Sequence, residues 1–169
     1  GNSTFVGNPN AKVVLTEFFD FQWPYCEKLV PTLDELLKKY PNDLKIVYKN
    51  FPLNSHKQAK KAAKYALAAG KQGKYKEMYK KIFSNFRGLR QNEDLPLEYV
   101  EELGLNLEQL KADLKDPSFD ALIAAETNQI KSLSPIRLSV PKLFVNGKVA
   151  QKRDVASLSA MIDAELKKK

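Results

Sequence analysis

Cysteine, histidine and tryptophan are nearly missing: the 169 residues hold one of each, Cys26, His56 and Trp23. A lone cysteine excludes an intrachain disulfide, so the chain is not a disulfide scaffold and cysteine usage does not fix its redox compartment. A lone histidine leaves a histidine-based metal cluster or a Cys–His nucleophile pair little to build with. Neither a metal nor another cofactor is expected, and His56 reads as a capping or packing residue. No apolar stretch is as long as a bilayer-crossing helix requires. Glycine-rich phosphate loops and arginine-rich runs are absent as well. The net charge of +8 is carried by lysines such as Lys57, Lys60, Lys61 and Lys64, then Lys71, Lys74, Lys76, Lys80 and Lys81. Their spacing reads as solvated helix faces rather than a nucleic-acid or anionic-membrane site, and Lys167-Lys168-Lys169 reads as a frayed helix end favoured by the dipole.

What is present suits one ordinary domain over residues 1–169, long enough to bury a core unaided and free of repeats or low-complexity linkers. After the turn signal Gly7-Asn8-Pro9-Asn10, the run Val13 to Phe19 is apolar apart from Thr16 and Glu17 and reads as a central buried strand. Cys26, Leu29, Val30, Leu33, Leu36, Leu37 and Tyr40 then recur at helical spacing, with Pro31 predicting a kink and Pro41 a stop. Leu44 to Asn50 is a second strand, so a right-handed βαβ unit with parallel strands is expected. From about 55 to 133 the pattern is helical. An alanine-rich helix is predicted from Ser55 to Ala69, ending at Gly70, and Tyr75 to Phe86 mark a second whose aromatic stripe reads as core packing. Three more are predicted over Pro96–Leu103, Leu107–Leu114 and Phe119 to about Ser132. After Pro135 come a strand, Lys142 to Val145, an Asn146-Gly147 hairpin turn, a short strand around Val149, and a closing helix from Asp154.

The only cysteine closes the tetrapeptide Trp23-Pro24-Tyr25-Cys26, directly after the first predicted strand. A dithiol redox site would carry Cys-Pro-Tyr-Cys there. In such a motif the first cysteine, at an exposed helix N-terminus, is held as a thiolate by the dipole and by unpaired N–H groups, and the second resolves the mixed disulfide it forms. An indole can do neither step. Two-cysteine chemistry within this chain is therefore excluded.

The βαβ unit, the helical stretch and the ββα end, with a CxxC-like position at the first strand-to-helix junction, resemble the DsbA-like family of thiol-disulfide oxidoreductases. The resemblance spans nearly the whole chain. It is carried by Glu17 to Cys26, by Lys49-Asn50-Phe51-Pro52-Leu53 and by Ser139-Val140-Pro141-Lys142-Leu143-Phe144-Val145-Asn146-Gly147. It implies a thioredoxin-like α/β fold with an inserted all-helical subdomain at about 55–133. It also implies a periplasmic or cell-envelope location, with a leader or anchor expected ahead of residue 1. The activity it implies is disulfide exchange on cysteines of exported proteins, with unfolded or exported proteins and a membrane redox partner as partners.

Carried over residue by residue, Cys26 falls on the family's second, buried cysteine and Trp23 on its nucleophile. Pro31 falls on the kinking proline. Val140-Pro141 resembles the cis-proline loop that offers its backbone to a substrate peptide, with Pro24 and Tyr25 completing a substrate-binding set. Glu17 matches the acid buried near the second cysteine. The strand pattern agrees on its own terms: Glu17 faces the side of Val13, Leu15 and Phe19, where a carboxylate is desolvated and its pKa raised. Two functions remain open at this level. Cys26 acts as a single exchanging thiol, or the chain is a redox-inactive peptide-binding or chaperone-like module that keeps the Trp23 and Val140-Pro141 platform.

Overall fold

A computed structural model describes residues 3–133 and 139–168. Its elements, in order, are β1 (Thr4–Gly7), β2 (Val13–Phe19), α1 (Pro24–Glu27), α2 (Val30–Lys39), β3 (Leu44–Asn50), α3 (Ala59–Lys71), α4 (Tyr75–Ser84), α5 (Leu107–Asp113), α6 (Pro117–Lys131), β4 (Lys142–Val145), β5 (Lys148–Val149) and α7 (Val155–Leu166). Two short 3-10 helices, Phe86–Arg90 and Leu95–Tyr99, lie between α4 and α5. The strands form one mixed sheet in the order β1-β3-β2-β4-β5, with β2 and β3 parallel and every other neighbouring pair antiparallel. This is the thioredoxin-like fold with helices inserted between β3 and β4.

Strand β2 is central because its side chains are apolar on both faces. Val13, Leu15 and Phe19 are covered on one face and Phe18 on the other. Glu17 is caught in the middle, in register with Tyr48 of β3 and Leu143 of β4. The inserted helices cover the face that carries Phe19. Tyr79 and Phe83 of α4 pack on the Phe19 ring at 5.3 and 6.1 Å, and Tyr79 also meets Tyr48 at 4.7 Å. Such edge-on and tilted aromatic contacts add about 0.5–1.5 kcal/mol each to area burial. The α4 stripe is core, as its spacing predicts. A polar tie joins the insertion to the end of β3: Glu126 of α6 accepts from the backbone N–H and the side-chain amide of Asn50 at 3.0 and 2.9 Å.

The structure departs from the sequence reading at four places. Strand β1 is missed by pattern: four residues are too few for a periodicity, and they are a strand because they pair along β3. Gly7 ends it at φ +93°, where a Cβ would meet the Leu44 carbonyl oxygen at 2.5 Å. The predicted helix through Cys26 and Tyr40 is two helices. The break falls just before Pro31, which has no N–H to return to the preceding turn; Leu29 instead bonds back to the Cys26 carbonyl and Leu33 to that of Leu29. Helix α3 begins at Ala59 rather than Ser55 and runs past Gly70 to Lys71. Residues 53–58 are held in turns by bonds to the β2–α1 segment, and the chain reverses at Gly73, φ +78°. Pro96–Leu103 is a 3-10 turn over Leu95–Tyr99 and irregular chain after it. Pro135 lies outside the described residues. The Asn146-Gly147 turn, β4, β5 and α7 fall where expected, with Asp154 capping α7 by accepting from the Ser157 N–H at 3.0 Å.

Candidate functional site

The site is the junction where β2 stops and α1 starts. Asp20 follows the strand, and its carboxylate organises the turn: Oδ1 accepts from the Gln22 N–H at 2.6 Å, and Oδ2 lies 2.7 Å from the Leu53 N and 2.9 Å from His56 Nδ1. Trp23 is the N-cap of α1, in extended conformation, and Pro24 follows at the first helical position, where no N–H is needed. The Cys26 N–H returns to the Trp23 carbonyl at 3.0 Å, closing the first turn. The tetrapeptide thus has the strand-to-helix geometry expected of it.

Cys26 points inward and is 0 % exposed. Its sulfur accepts a long contact, 3.4 Å, from the Asp20 N–H. Burial first, then the negative charges of Glu17 and Asp20, push its thiol well above the ordinary cysteine range; Arg153 opposes them. Glu17 is equally enclosed. Tyr79 donates to its Oε1 at 2.8 Å, while Oε2 has no partner among the described residues. Desolvation raises its pKa from 4.5 to about 8 against the lowering effect of the Tyr79 bond. Burial likewise lifts Asp20, although two backbone amides and His56 pull the other way.

At the surface the picture is aromatic. The Trp23 indole is half-buried, with the Tyr25 ring 5.3 Å away between centroids and the His56 ring 5.5 Å away at an interplanar angle of 33°. Tyr25 is 52 % exposed, with the Lys28 ammonium 5.3 Å from its ring centre. The Val140–Pro141 peptide bond is cis. The pairing of β2 with β4 ends at Phe18 with Lys142, so the Val140-Pro141 loop comes directly before the paired strand at that end of β2. Arg153 Nη1 donates to the Pro141 carbonyl at 3.2 Å. The structure therefore brings Glu17, Cys26 and the Val140-Pro141 loop to one end of β2, with Trp23, Pro24 and Tyr25 outside them. It also covers the Val140 and Pro141 side chains, which leaves that loop its backbone to offer.

Two residues of the junction escape sequence reasoning. The sequence reading assigns Asp20 no role beyond its place in the Glu17 to Cys26 run, and reads His56 as a cap or packing group. Asp20 carried a usable signal, since an Asx residue two positions before Gln22 is a turn-forming pattern. His56 carried none, because its partners are 36 and 33 residues away. The imidazole does pack, on Trp23, and it is hydrogen-bonded as well. Chemically, the junction offers a buried thiol, two buried acids and an indole–phenol–imidazole surface. Among the described residues no three His, Cys, Asp or Glu side chains gather as metal ligands, and no helix is long and apolar enough to cross a membrane.

Comparison with known proteins agrees with this architecture. The profile of the family described as Thioredoxin matches residues 1–164. A thioredoxin-like oxidoreductase from Silicibacter pomeroyi superposes with a TM-score of 0.83 at 27% identity, over 99% of this chain and 94% of that one. The thiol-disulfide exchange protein alpha-DsbA2 from Wolbachia pipientis gives 0.81 at 20% identity, over 96% and 86%. Among curated sequences, the Na(+)/H(+) antiporter NhaA 1 of Mycobacterium sp. (strain KMS) is 30% identical over 164 residues, covering 94% of this chain and 26% of the antiporter. The chain spans about a quarter of the length of the curated relatives it matches.

Proposed function

The chain belongs to the thioredoxin family, in its DsbA-like form with Trp23 in place of the first active-site cysteine, and from that premise we propose that it is a redox-inactive binding module for unfolded or exported polypeptides in the cell envelope. One observation carries the reading: the thiol is sealed while the surface above it is aromatic. Cys26 is 0 % exposed with its pKa raised, and Trp23 and Tyr25 form the accessible edge of α1. A single-thiol exchanger needs the reverse arrangement, an exposed cysteine of low pKa. An extended peptide would pair with the backbone of Val140, which has no hydrogen-bond partner among the described residues, and would bury a side chain on the indole.

Trp23 is the only tryptophan, so its emission reports on occupancy. Titration with unfolded, cysteine-free polypeptide is expected to shift that emission, and Trp23→Ala to weaken binding measured by anisotropy of a labelled peptide. Absence of any shift at saturating peptide rejects the module. Multiple turnovers of disulfide exchange by the natural chain would return the function to the oxidoreductase reading.

A further inference from the structure

The helical insertion carries many lysines, and most of them are already paired. Lys60 and Lys64 meet Asp120, Lys61 meets Glu93 and Asp94, Lys71 meets Asp116, Lys76 and Lys80 meet Asp34, and Lys81 meets Glu102. Lys111, Lys115 and Lys131 have no such partner among the described residues and lie apart, whereas three further unpaired cations share one place. Lys57, Arg87 and Arg90 make no ion pair or side-chain hydrogen bond among the described residues, and all three line one cavity of about 730 Å³.

That cavity opens beside the Trp23 turn. Gln22, Pro24 and His56 form one wall and Phe86, Arg87 and Arg90 the other. Among the described residues no carboxylate lines it. The arginines are placed together by backbone geometry: they are three residues apart on the 3-10 helix Phe86–Arg90, where side chains at that spacing eclipse and leave the same face. Gly88 lies between them, where a Cβ would fall 2.9 Å from the side-chain atoms Asn85 Nδ2 and Leu95 Cδ2. Arg87 also lies over the Phe86 ring at 4.9 Å, which limits its rotamers. On the opposite wall Gln22 and Gln58 exchange hydrogen bonds at 2.9 and 2.8 Å and fix the α1 side to the start of α3. The imidazole of His56 is oriented by Asp20 through Nδ1, so Nε2 is the ring nitrogen left free.

We propose that this cavity is an acidic-residue subsite, so that the polypeptides bound at Trp23 are those carrying clustered Asp or Glu beside the segment on the indole. The inference rests on the peptide-binding reading above and adds the substrate class. Two guanidinium groups on one helical face suit carboxylates, which they bind in a fork geometry that an ammonium cannot offer. His56 touches both places, packing on the indole and lining the cavity, and so joins subsite to platform.

The test uses short extended peptides, cysteine-free and identical except for Glu, Gln or Lys at a block of adjacent positions. Binding is read both by Trp23 emission and by anisotropy of the labelled peptide. The Glu peptide is expected to bind about tenfold or more tightly than the Gln peptide in low salt, with the ratio shrinking as salt screens the pairs. The double variant Arg87→Gln/Arg90→Gln, and separately Lys57→Gln, should bring that ratio towards one; melting curves of each variant check that it is folded. Equal binding of Glu and Gln peptides, or a preference that survives the double variant, overturns the subsite and leaves the parent reading standing. Failure of every peptide to bind overturns both. Tighter binding of a single-stranded oligonucleotide or of phosphatidylglycerol vesicles through the same arginines overturns the acidic polypeptide as occupant.

Discussion

Tyr79 donates its phenol hydrogen to Glu17 at 2.8 Å and in doing so joins the helical insertion to the acid at the centre of the sheet. One oxygen of that acid is satisfied and the other finds no partner among the described residues. An ionised Glu17 would hold its charge in a site with a single donor, between Tyr48 and Leu143 in register. That is why burial outweighs the hydrogen bond and its pKa rises from 4.5 to about 8.

The sign of the resulting pH dependence follows. In the unfolded chain Glu17 gives up its proton near 4.5, and in the native state only near 8. Between those values the unfolded state binds fewer protons, so the contribution is whole below about 4.5 and is lost as pH rises through about 8, a loss on the order of a few kcal/mol. Glu17→Gln keeps an acceptor for Tyr79 and cannot ionise. Urea titrations across that range should show a decline for the natural chain and a flatter profile for the variant; matching profiles would mean that Glu17 is ionised in the folded protein.

Cys26 gives a second, independent check on the junction. Its thiol is enclosed and its pKa raised by burial and by the charges of Glu17 and Asp20. A disulfide reagent should therefore react with it only as fast as the protein opens, and the rate should climb with denaturant along the unfolding curve. Reaction at the rate of a free cysteine in the native protein would revive the single-thiol mechanism.

The sequence made strands β2 to β5 and the junction legible because each is read from a local pattern. Alternation around Glu17 gave its burial, helical spacing gave Cys26 its inward direction, and Pro31 marked as a kink the place where the structure has a full break between α1 and α2. What it could not give depends on partners far along the chain. Strand β1 exists through pairing with β3, the start of α3 is displaced by bonds from Asp20 and Gln22, and His56 joins the site through an acid 36 residues earlier. The unpaired state of Arg87 and Arg90 is of the same kind. In sequence they differ little from the paired lysines around them.

Asp20 is the residue whose loss should be felt most at the turn. It is 1 % exposed and accepts from two backbone amides and one imidazole. Asp20→Ala strands those donors and is expected to cost about 2–3 kcal/mol in denaturant unfolding. Because His56 packs on Trp23, the same variant should also change the native-state emission. A cost within a few tenths of a kcal/mol, with unaltered emission, would show that water replaces the carboxylate and that the turn does not depend on it.

Restoring a cysteine at position 23 asks whether the redox scaffold persists under the indole. Trp23 caps α1 and its carbonyl receives the Cys26 N–H at 3.0 Å, so residues 23 and 26 stand one turn apart at the start of a helix. That is the spacing a C-x-x-C pair uses, with the first sulfur outward and the second covered. In Trp23→Cys, oxidised glutathione should take two electrons and two protons from the pair, forming the intrachain disulfide and two reduced glutathiones. The mass should fall by two hydrogens and both thiols should disappear from titration, without covalent dimers on a non-reducing gel. The variant should then pass its disulfide to a reduced substrate peptide and turn over; the unsubstituted chain, with one cysteine, has no intrachain disulfide to pass. Oxidation that yields only cross-linked dimers would mean that the two positions do not face each other, and that the junction no longer has the geometry its relatives use for exchange.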